Sequence, residues 1–335
     1  MLVIKMKAAV LSKKDGEVNV LDIPVPDLGE NDVLVKIKYA GVNPLDNMII
    51  HEEVKLITPY KYPLVMGNEF SGIIEKTGSN VSKFKKDDKV YARMPLDKIG
   101  AFAEYVVINQ DEIAKIPDYL SFKEAACIPL TALTAVQAFE LMNVNKGDKI
   151  FISGGTGSLG AMAIPIAKSY GLYVITNGSG RNKQRVMDLG VDEFIDYKTQ
   201  DYSNILSDID CVLDTLGGDE LEKEFKILKR GGVLVSLKGL PNGEFATRMG
   251  LSFFKKILFK FAGGKYDKLA SKNDQKYYFL FVQSDGQQLE KISQIFSESQ
   301  IKASVDEIFD LNDVGKALRK VASGGSKGKT LLKID

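Results

Sequence analysis

Apolar positions along the chain follow two rhythms. Up to about residue 126 they come in short runs, Met6–Val10, Asp32–Ile37, Phe70–Ile74, Lys89–Ala92 and Phe102–Val107, divided by glycines, prolines and charged turns. Runs of that length predict strands, and their spacing suits a small barrel or folded sheet. Beyond Asp118 the pattern becomes helical. Ser121 with Glu124 three positions on reads as a capping box, and a longer helix is predicted from about Leu130 to Met142.

Strands and helices then alternate. The strands are predicted at Lys149–Ser153, Tyr173–Thr176, Phe194–Asp196, Asp210–Asp214 and Gly232–Ser236, with a helix to about Tyr170 and another near Lys183–Leu189. This alternation builds a parallel sheet with helices on both faces. Pro165 falls inside the first of these helices and should kink it. After about residue 278 come a strand (Tyr278–Val282), an amphipathic helix (about Gln287–Glu298), a short strand and helix, and a last strand, Lys329–Ile334, a tail expected to return to the first domain.

A chain of 335 residues has room for two cores. Lys plus Arg (45) nearly balance Asp plus Glu (44), so no basic excess points to nucleic acid. No uncharged apolar run reaches the length of a membrane span, and the first residues are too short an apolar run for a signal peptide. Two cysteines without a motif, Cys127 and Cys211, suggest reduced thiols, so a cytoplasmic location is expected. The one histidine, His51, all but excludes a histidine relay or a histidine-rich metal site.

The strand ending at Ser153 runs into Gly154-Gly155-Thr156-Gly157-Ser158-Leu159-Gly160. Gly155, Gly157 and Gly160 fit G-x-G-x-x-G. The first glycine permits a tight turn, the second lets a pyrophosphate approach the backbone, and the third lets helix and strand pack closely. Phosphates would sit on the helix N-terminus, where free N–H groups favour negative charge. An NAD site usually has a carboxylate at the end of the second strand. The stretch Thr176–Lys183 has none, and offers Ser179, Arg181 and Lys183 instead, groups that suit a 2′-phosphate. NADPH is therefore the expected cofactor, although Arg181 and Lys183 also fit a merely solvated helix start.

Taken together, Ala40-Gly41-Val42-Asn43-Pro44-Leu45-Asp46, Met66–Gly72, Ile128–Ala135 and the Gly155 turn resemble the medium-chain dehydrogenase/reductase superfamily. The likeness runs over essentially the whole length and is strongest to the zinc-independent quinone oxidoreductase and enone (alkenal) reductase branch. It implies an α/β protein: a GroES-like β-rich catalytic domain (1–126 and 279–335), a doubly wound Rossmann domain (127–278), and a cofactor in the cleft between them. By the same resemblance Asn43 and Asp46 are the candidate catalytic residues, lining the cleft near the nicotinamide. Thr134 approaches the carboxamide, Tyr197 neighbours the adenosine ribose phosphate with Ser179 and Lys183, and Leu216, Leu237 and Lys238 belong to loops closing over the ribose and nicotinamide. Asn43 and Asp46 also fit a turn residue and a helix cap, and Tyr197 a packed aromatic. Zinc-binding members carry ligands where this chain has Asn43, Asn68 and Leu130, and no cysteines of a structural zinc lobe occur between Tyr91 and Tyr105, so no metal is expected.

The resemblance implies a homodimer that reduces small enones, alkenals or quinones with NADPH. A non-catalytic NADPH-binding redox sensor is the alternative. One stretch stands outside both. Phe253, Phe254, Ile257, Leu258 and Phe261 share a helical face, with Lys255, Lys256 and Lys260 elsewhere, which fits core, a dimer contact, a pocket lid or a membrane-surface helix.

Overall fold

A computed structural model describes residues 4–335 and divides the chain into two compact units, Met1–Leu133 with Gln283–Asp335, and Thr134–Val282. In chain order the elements up to residue 142 are β1 (Lys5–Leu11), β2 (Val18–Pro24), β3 (Asp32–Val42), α1 (Pro44–Ile50), β4 (Leu64–Val65), β5 (Glu69–Thr77), β6 (Lys89–Arg93), β7 (Tyr105–Asn109), β8 (Ala114–Lys115), α2 (Phe122–Ala125) and α3 (Pro129–Met142). Next come β9 (Lys149–Ile152), α4 (Ser158–Ser169), β10 (Tyr173–Gly178), α5 (Lys183–Met187), β11 (Glu193–Asp196), β12 (Ile209–Asp214), α6 (Glu220–Ile227), β13 (Leu228–Ser236), α7 (Gly243–Arg248), α8 (Phe253–Ser271) and β14 (Lys276–Phe279). The tail holds α9 (Gly286–Ser299), β15 (Val305–Asp310), α10 (Val314–Ala322) and β16 (Lys329–Lys333).

The first unit is β-rich. Strand β3 is its spine, pairing antiparallel with β5, β7 and β16. A strand paired on both sides satisfies its backbone within the sheet, so its apolar side chains can be buried on both faces. Val33, Val35, Ile37 and Ala40 are fully buried. The tail does return to this unit: β16 lays Leu331 against Gly41 and Thr330 against Val42. That register carries Lys329 to the end of β3, where α1 begins.

The second unit is a six-stranded parallel sheet in the order β11-β10-β9-β12-β13-β14. Numbered from β9, this is 3-2-1-4-5-6, the doubly wound order of dinucleotide-binding folds, whose ligands sit beyond the carboxyl ends of the strands. Pro165 lies within α4, whose helix runs through it to Ser169. The last strand departs from expectation. Pairing between β13 and β14 ends at Ser236 with Phe279, so the strand occupies Lys276–Phe279 rather than Tyr278–Val282. Leu280 and Val282 are buried without being part of the ladder. The expected strand Phe102–Val107 likewise begins only at Tyr105.

Candidate functional site

In the first unit β3 ends at Val42, and Asn43-Pro44 turns the chain into α1. Proline at the first helical position has the backbone angle that a helix needs and no N–H to leave unsatisfied. Asp46 reaches back: its Oδ2 accepts from the Asn43 backbone N–H at 2.7 Å, which ties down the helix start. Its Oδ1 accepts from Asn68 Nδ2 at 2.7 Å. The Asn43 carboxamide is fully engaged, donating to Glu69 Oε1 (2.8 Å) and to the Gly41 carbonyl (3.2 Å), and accepting from Lys329 Nζ (2.6 Å). Lys329 Nζ also lies 2.6 Å from Glu69 Oε1, and Glu69 Oε2 accepts from the Leu130 backbone N–H at 2.8 Å. Gly41 is needed for this packing, because a Cβ there would come within 2.4 Å of Glu69 Oε1.

Asn43, Asp46, Asn68, Glu69 and Lys329 are all buried. The two carboxylates and the ammonium thus form a low-dielectric network. Burial pushes the Asp46 carboxyl up to about 7, against the hydrogen bonds from Asn43 and Asn68, and the neighbouring Glu69 charge adds to the rise. Arg93, at the end of β6, is fully buried too. It donates through Nη1 to the Met94 carbonyl, while Nε and Nη2, like Asn68 Oδ1, have no partner among the described residues. Burial lowers its guanidinium to about 10. No group of three or more His, Cys, Asp or Glu suited to a metal occurs among the described residues. The charge facing Glu69 and Asn43 is instead the ammonium of Lys329.

In the second unit the glycine turn joins β9 to α4, with Gly157 as the helix N-cap. A Cβ on Gly160 would strike the Gly155 backbone at 2.2 Å, and one on Gly155 would strike Thr176 Oγ1 at 2.0 Å. At Gly157 the nearest atom would be the Gly154 carbonyl, 3.4 Å away. The first and third glycines are thus packed shut, whereas the second faces open space, as a pyrophosphate approaching the backbone requires. Thr156, Ser158 and Leu159 complete the turn and are half-buried. The turn is braced by its neighbours: Gly154 N–H donates to Asn177 Oδ1 at 2.7 Å, Gly155 N–H to Thr176 Oγ1 at 3.1 Å, and the Arg185 guanidinium to the Thr156 carbonyl.

Strand register gathers the other expected residues at the same sheet edge. Gly178 pairs with Asp196, so Ser179 and Tyr197 leave adjacent strand ends, and the Tyr197 N–H donates to the Gly178 carbonyl at 3.2 Å. The Arg181 Nε lies 3.4 Å from Ser179 Oγ, and Arg181, Lys183 and Tyr197 are exposed. Leu216, Leu237 and Lys238 follow β12 and β13, where Asp214 and Ser236 are paired. Asp214 Oδ1 accepts from the Leu216 and Gly217 N–H groups, both at 2.8 Å, and its Oδ2 accepts from Ser236 Oγ at 2.5 Å. Ser236 Oγ in turn accepts from the N–H groups of Lys238 (3.2 Å) and Gly239 (2.6 Å). One buried carboxylate and one hydroxyl therefore hold both loops. Thr134 is buried within α3.

Several groups of the two sites carry no motif in the sequence. Glu69, Lys329, Arg93 and Asp214 are buried charges, and a charged residue at the end of an apolar run was the available sign. Arg185, four positions beyond Arg181, reaches the glycine turn, whereas Arg181 bonds Ser179 instead. Asp196 ends the third strand, yet a Cβ on Gly180 would stand 2.2 Å from its Oδ2, so a carboxylate does lie beside the Ser179 turn.

Comparison with known proteins agrees with this fold. Residues 29–118 match the model of the alcohol dehydrogenase GroES-like domain, and residues 189–332 that of the zinc-binding dehydrogenase. The chain is 30% identical over 326 residues to NAD(P)H oxidoreductase RTN4IP1, mitochondrial, of Danio rerio, spanning 91% of this chain and 84% of that protein. It belongs to the medium-chain dehydrogenase/reductase superfamily. A 2-methylene-furan-3-one reductase of Solanum lycopersicum is 33% identical over 257 residues, 72% of this chain and 66% of that one. Among solved structures, the quinone oxidoreductase from Coxiella burnetii superposes with a TM-score of 0.84 at 27% identity, covering 99% of this chain and all of the other. In the terms of that superfamily the second unit is its nicotinamide-cofactor domain and the first its GroES-like domain.

Proposed function

We propose that this protein is an NADPH-dependent reductase of activated C=C bonds or quinones that uses no metal ion. The observation that carries the proposal is the ammonium of Lys329, 2.6 Å from Glu69 Oε1 and 2.6 Å from Oδ1 of Asn43, one of the three positions where the resemblance puts the ligands of zinc-binding members. Without a metal to polarise a carbonyl, alcohol oxidation loses its main source of catalysis. Addition of hydride to a conjugated double bond asks less, because negative charge spreads into an enolate and water can supply the proton. The tomato relative is named for an exocyclic methylene conjugated to a ketone, and the Coxiella one for a quinone, which supports that substrate class.

When bound, the reduced nicotinamide supplies the hydride. The protein's own contribution is positioning. The Gly155–Gly160 turn receives the pyrophosphate, and Ser179, Arg181 and Lys183 receive the 2′-phosphate, with Asp196 opposing them. The Asp214–Ser236 pair fixes the loops bearing Leu216, Leu237 and Lys238. Asn43 and Asp46 act as positioning residues, holding the start of α1 against Glu69 and Lys329. A homodimer in the cytoplasm completes the proposal. The free edge of β14 is a surface on which a second sheet can add, and Cys127 and Cys211 are free and buried.

C4-deuterated NADPH and a small enone test the chemistry. Deuterium is expected at the β-carbon of a saturated ketone. An allylic alcohol as product would refute the reading. Tight NADPH binding without reduction of any enone, alkenal or quinone would replace it with the redox-sensor role.

A further inference from the structure

Helix α8 carries an apolar face that the described residues leave largely uncovered. Phe253, Phe254 and Phe261 are 70%, 81% and 81% exposed, and Ile257 and Leu258 are 41% and 48% exposed. With 3.6 residues per turn these five fall within an arc of about 140°. The opposite side of the helix is the packed one, where Phe259, Gly263, Tyr266 and Ala270 are buried. Singly exposed apolar residues are ordinary, whereas a contiguous stripe with three phenylalanines marks an interaction surface.

The charge around the stripe points to its occupant. The helix carries five lysines (255, 256, 260, 265 and 268) and one acid, Asp267, on a chain whose net charge is only +1. Lys255, Lys256 and Lys260 flank the apolar arc and form no ion pair among the described residues. Lys256 and Lys260, with Arg248 from α7, also line a groove of about 750 Å³ beside the stripe. The acids of that groove are already engaged, Glu244 by Arg248 at 3.1 Å and Asp267 by Asn242 at 2.6 Å. An apolar stripe bordered by unpaired lysines is the composition of a helix lying in a bilayer interface. A second copy of this chain would bring the same positive helix to a symmetric contact, so like charges would meet. No helix among the described residues is long and apolar enough to cross a membrane.

We infer that α8 docks the protein onto an anionic bilayer, with Phe253, Phe254 and Phe261 entering the acyl boundary and Lys255, Lys256 and Lys260 meeting lipid phosphates. The test is sedimentation of the full chain with phosphatidylcholine vesicles, with and without phosphatidylserine, at low and high salt. The wild type is expected to pellet with the anionic vesicles at low salt and to be released by high salt. Phe254→Ser with Phe261→Ser should lower partitioning at least about tenfold. Lys255→Gln, Lys256→Gln and Lys260→Gln together should lower it about 100-fold. Both variants should keep wild-type reductase activity. Absence of binding to anionic vesicles, or equal binding by the phenylalanine variant, overturns the inference. So does light scattering that shows the wild type as a dimer and the phenylalanine variant as a monomer, which would assign the face to a second copy.

Discussion

The ammonium of Lys329 lies 2.6 Å from Glu69 Oε1, with the lysine side chain 5% exposed and the glutamate side chain not exposed at all. A pair so buried gives up its hydration, and it is held because further hydrogen bonds satisfy both ends. Asn43 Oδ1 takes the ammonium, and the Leu130 N–H takes the second carboxylate oxygen. The last strand, the start of the first helix and the start of α3 are thereby locked together around one charge pair.

Removing one partner should therefore cost far more than a surface ion pair would. Lys329→Met is expected to destabilise the protein by about 3–5 kcal/mol, because it strands a buried carboxylate. Adding Glu69→Gln should recover part of that loss, since the carboxamide needs no counter-charge. Urea unfolding of the two single variants and the double variant measures the coupling. A loss below about 1 kcal/mol for Lys329→Met, the range of exposed pairs, would show that the network is not what holds this corner.

The same arrangement bears on metal dependence. Asn43 and Glu69 already face a fixed cation, and Asn68 already donates to Asp46. Activity is expected to survive prolonged chelation, and metal analysis should find no stoichiometric zinc. One zinc per chain, lost together with activity, would refute this.

Asp46 should leave a pH signature. Its carboxyl is raised to about 7 from 3.8, chiefly by burial. A raised acid binds more protons folded than unfolded, so its contribution to stability is full below about pH 4 and is lost as pH rises through about 7. The gap is worth about 4 kcal/mol. Asp46→Asn cannot ionise. It pays a fixed cost at every pH, because one of the donors Asn43 N–H and Asn68 Nδ2 would face its amide nitrogen. The stability of the wild type relative to Asp46→Asn should therefore fall between about pH 4 and pH 7. A difference that stays flat over that window would place the Asp46 carboxyl in the ordinary range.

Much of the second unit was legible because its signals are local. A buried strand, the Gly155–Gly160 turn and a helix follow one another within a few residues, and each is set by its own backbone and packing needs. The return of the tail was legible only through the resemblance to the superfamily, because the strand Lys329–Lys333 also pairs with β15, close by in sequence. What escaped depends on pairing over long separations. Lys329 bonds Asn43 across 286 positions, and Asp196 reaches the Gly180 turn only through the register of β10 and β11. The β14 boundary was misplaced because Leu280 and Val282 are as apolar as strand residues, while only the ladder with β13 decides where the strand stops. The stripe on α8 was legible as a stripe, but its exposure belongs to the packing of the whole unit.

Cofactor choice should respond to charge around Ser179. Arg181→Gln with Lys183→Gln is expected to weaken NADPH roughly ten- to hundredfold, the worth of a charge-assisted phosphate contact, and to leave NADH nearly unchanged. Asp196→Asn should act in the opposite direction and tighten NADPH, because it removes a carboxylate beside the phosphate position. Fluorescence titration of both cofactors at fixed moderate salt measures this. Equal dissociation constants for NADPH and NADH in the wild type would defeat the assignment.

The roles of the second and third glycines of the turn can be separated by stability and binding measured together. Gly160 is closed in by the Gly155 backbone at 2.2–2.5 Å, so Gly160→Ala must push α4 away from the turn and should lower the melting temperature. Gly157 has φ −81°, an angle that alanine adopts freely, and only the Gly154 carbonyl at 3.4 Å would lie near its Cβ. Gly157→Ala should therefore melt close to the wild type. Its methyl group would instead occupy the space through which the pyrophosphate approaches the helix N-terminus, so cofactor affinity should fall at least about tenfold. The contrast is diagnostic, because a turn with only a folding role would show both effects at Gly160 and neither at Gly157. Thermal melts of the two variants alongside NADPH titration decide it: unchanged affinity in a well-folded Gly157→Ala protein would remove this turn from the cofactor site.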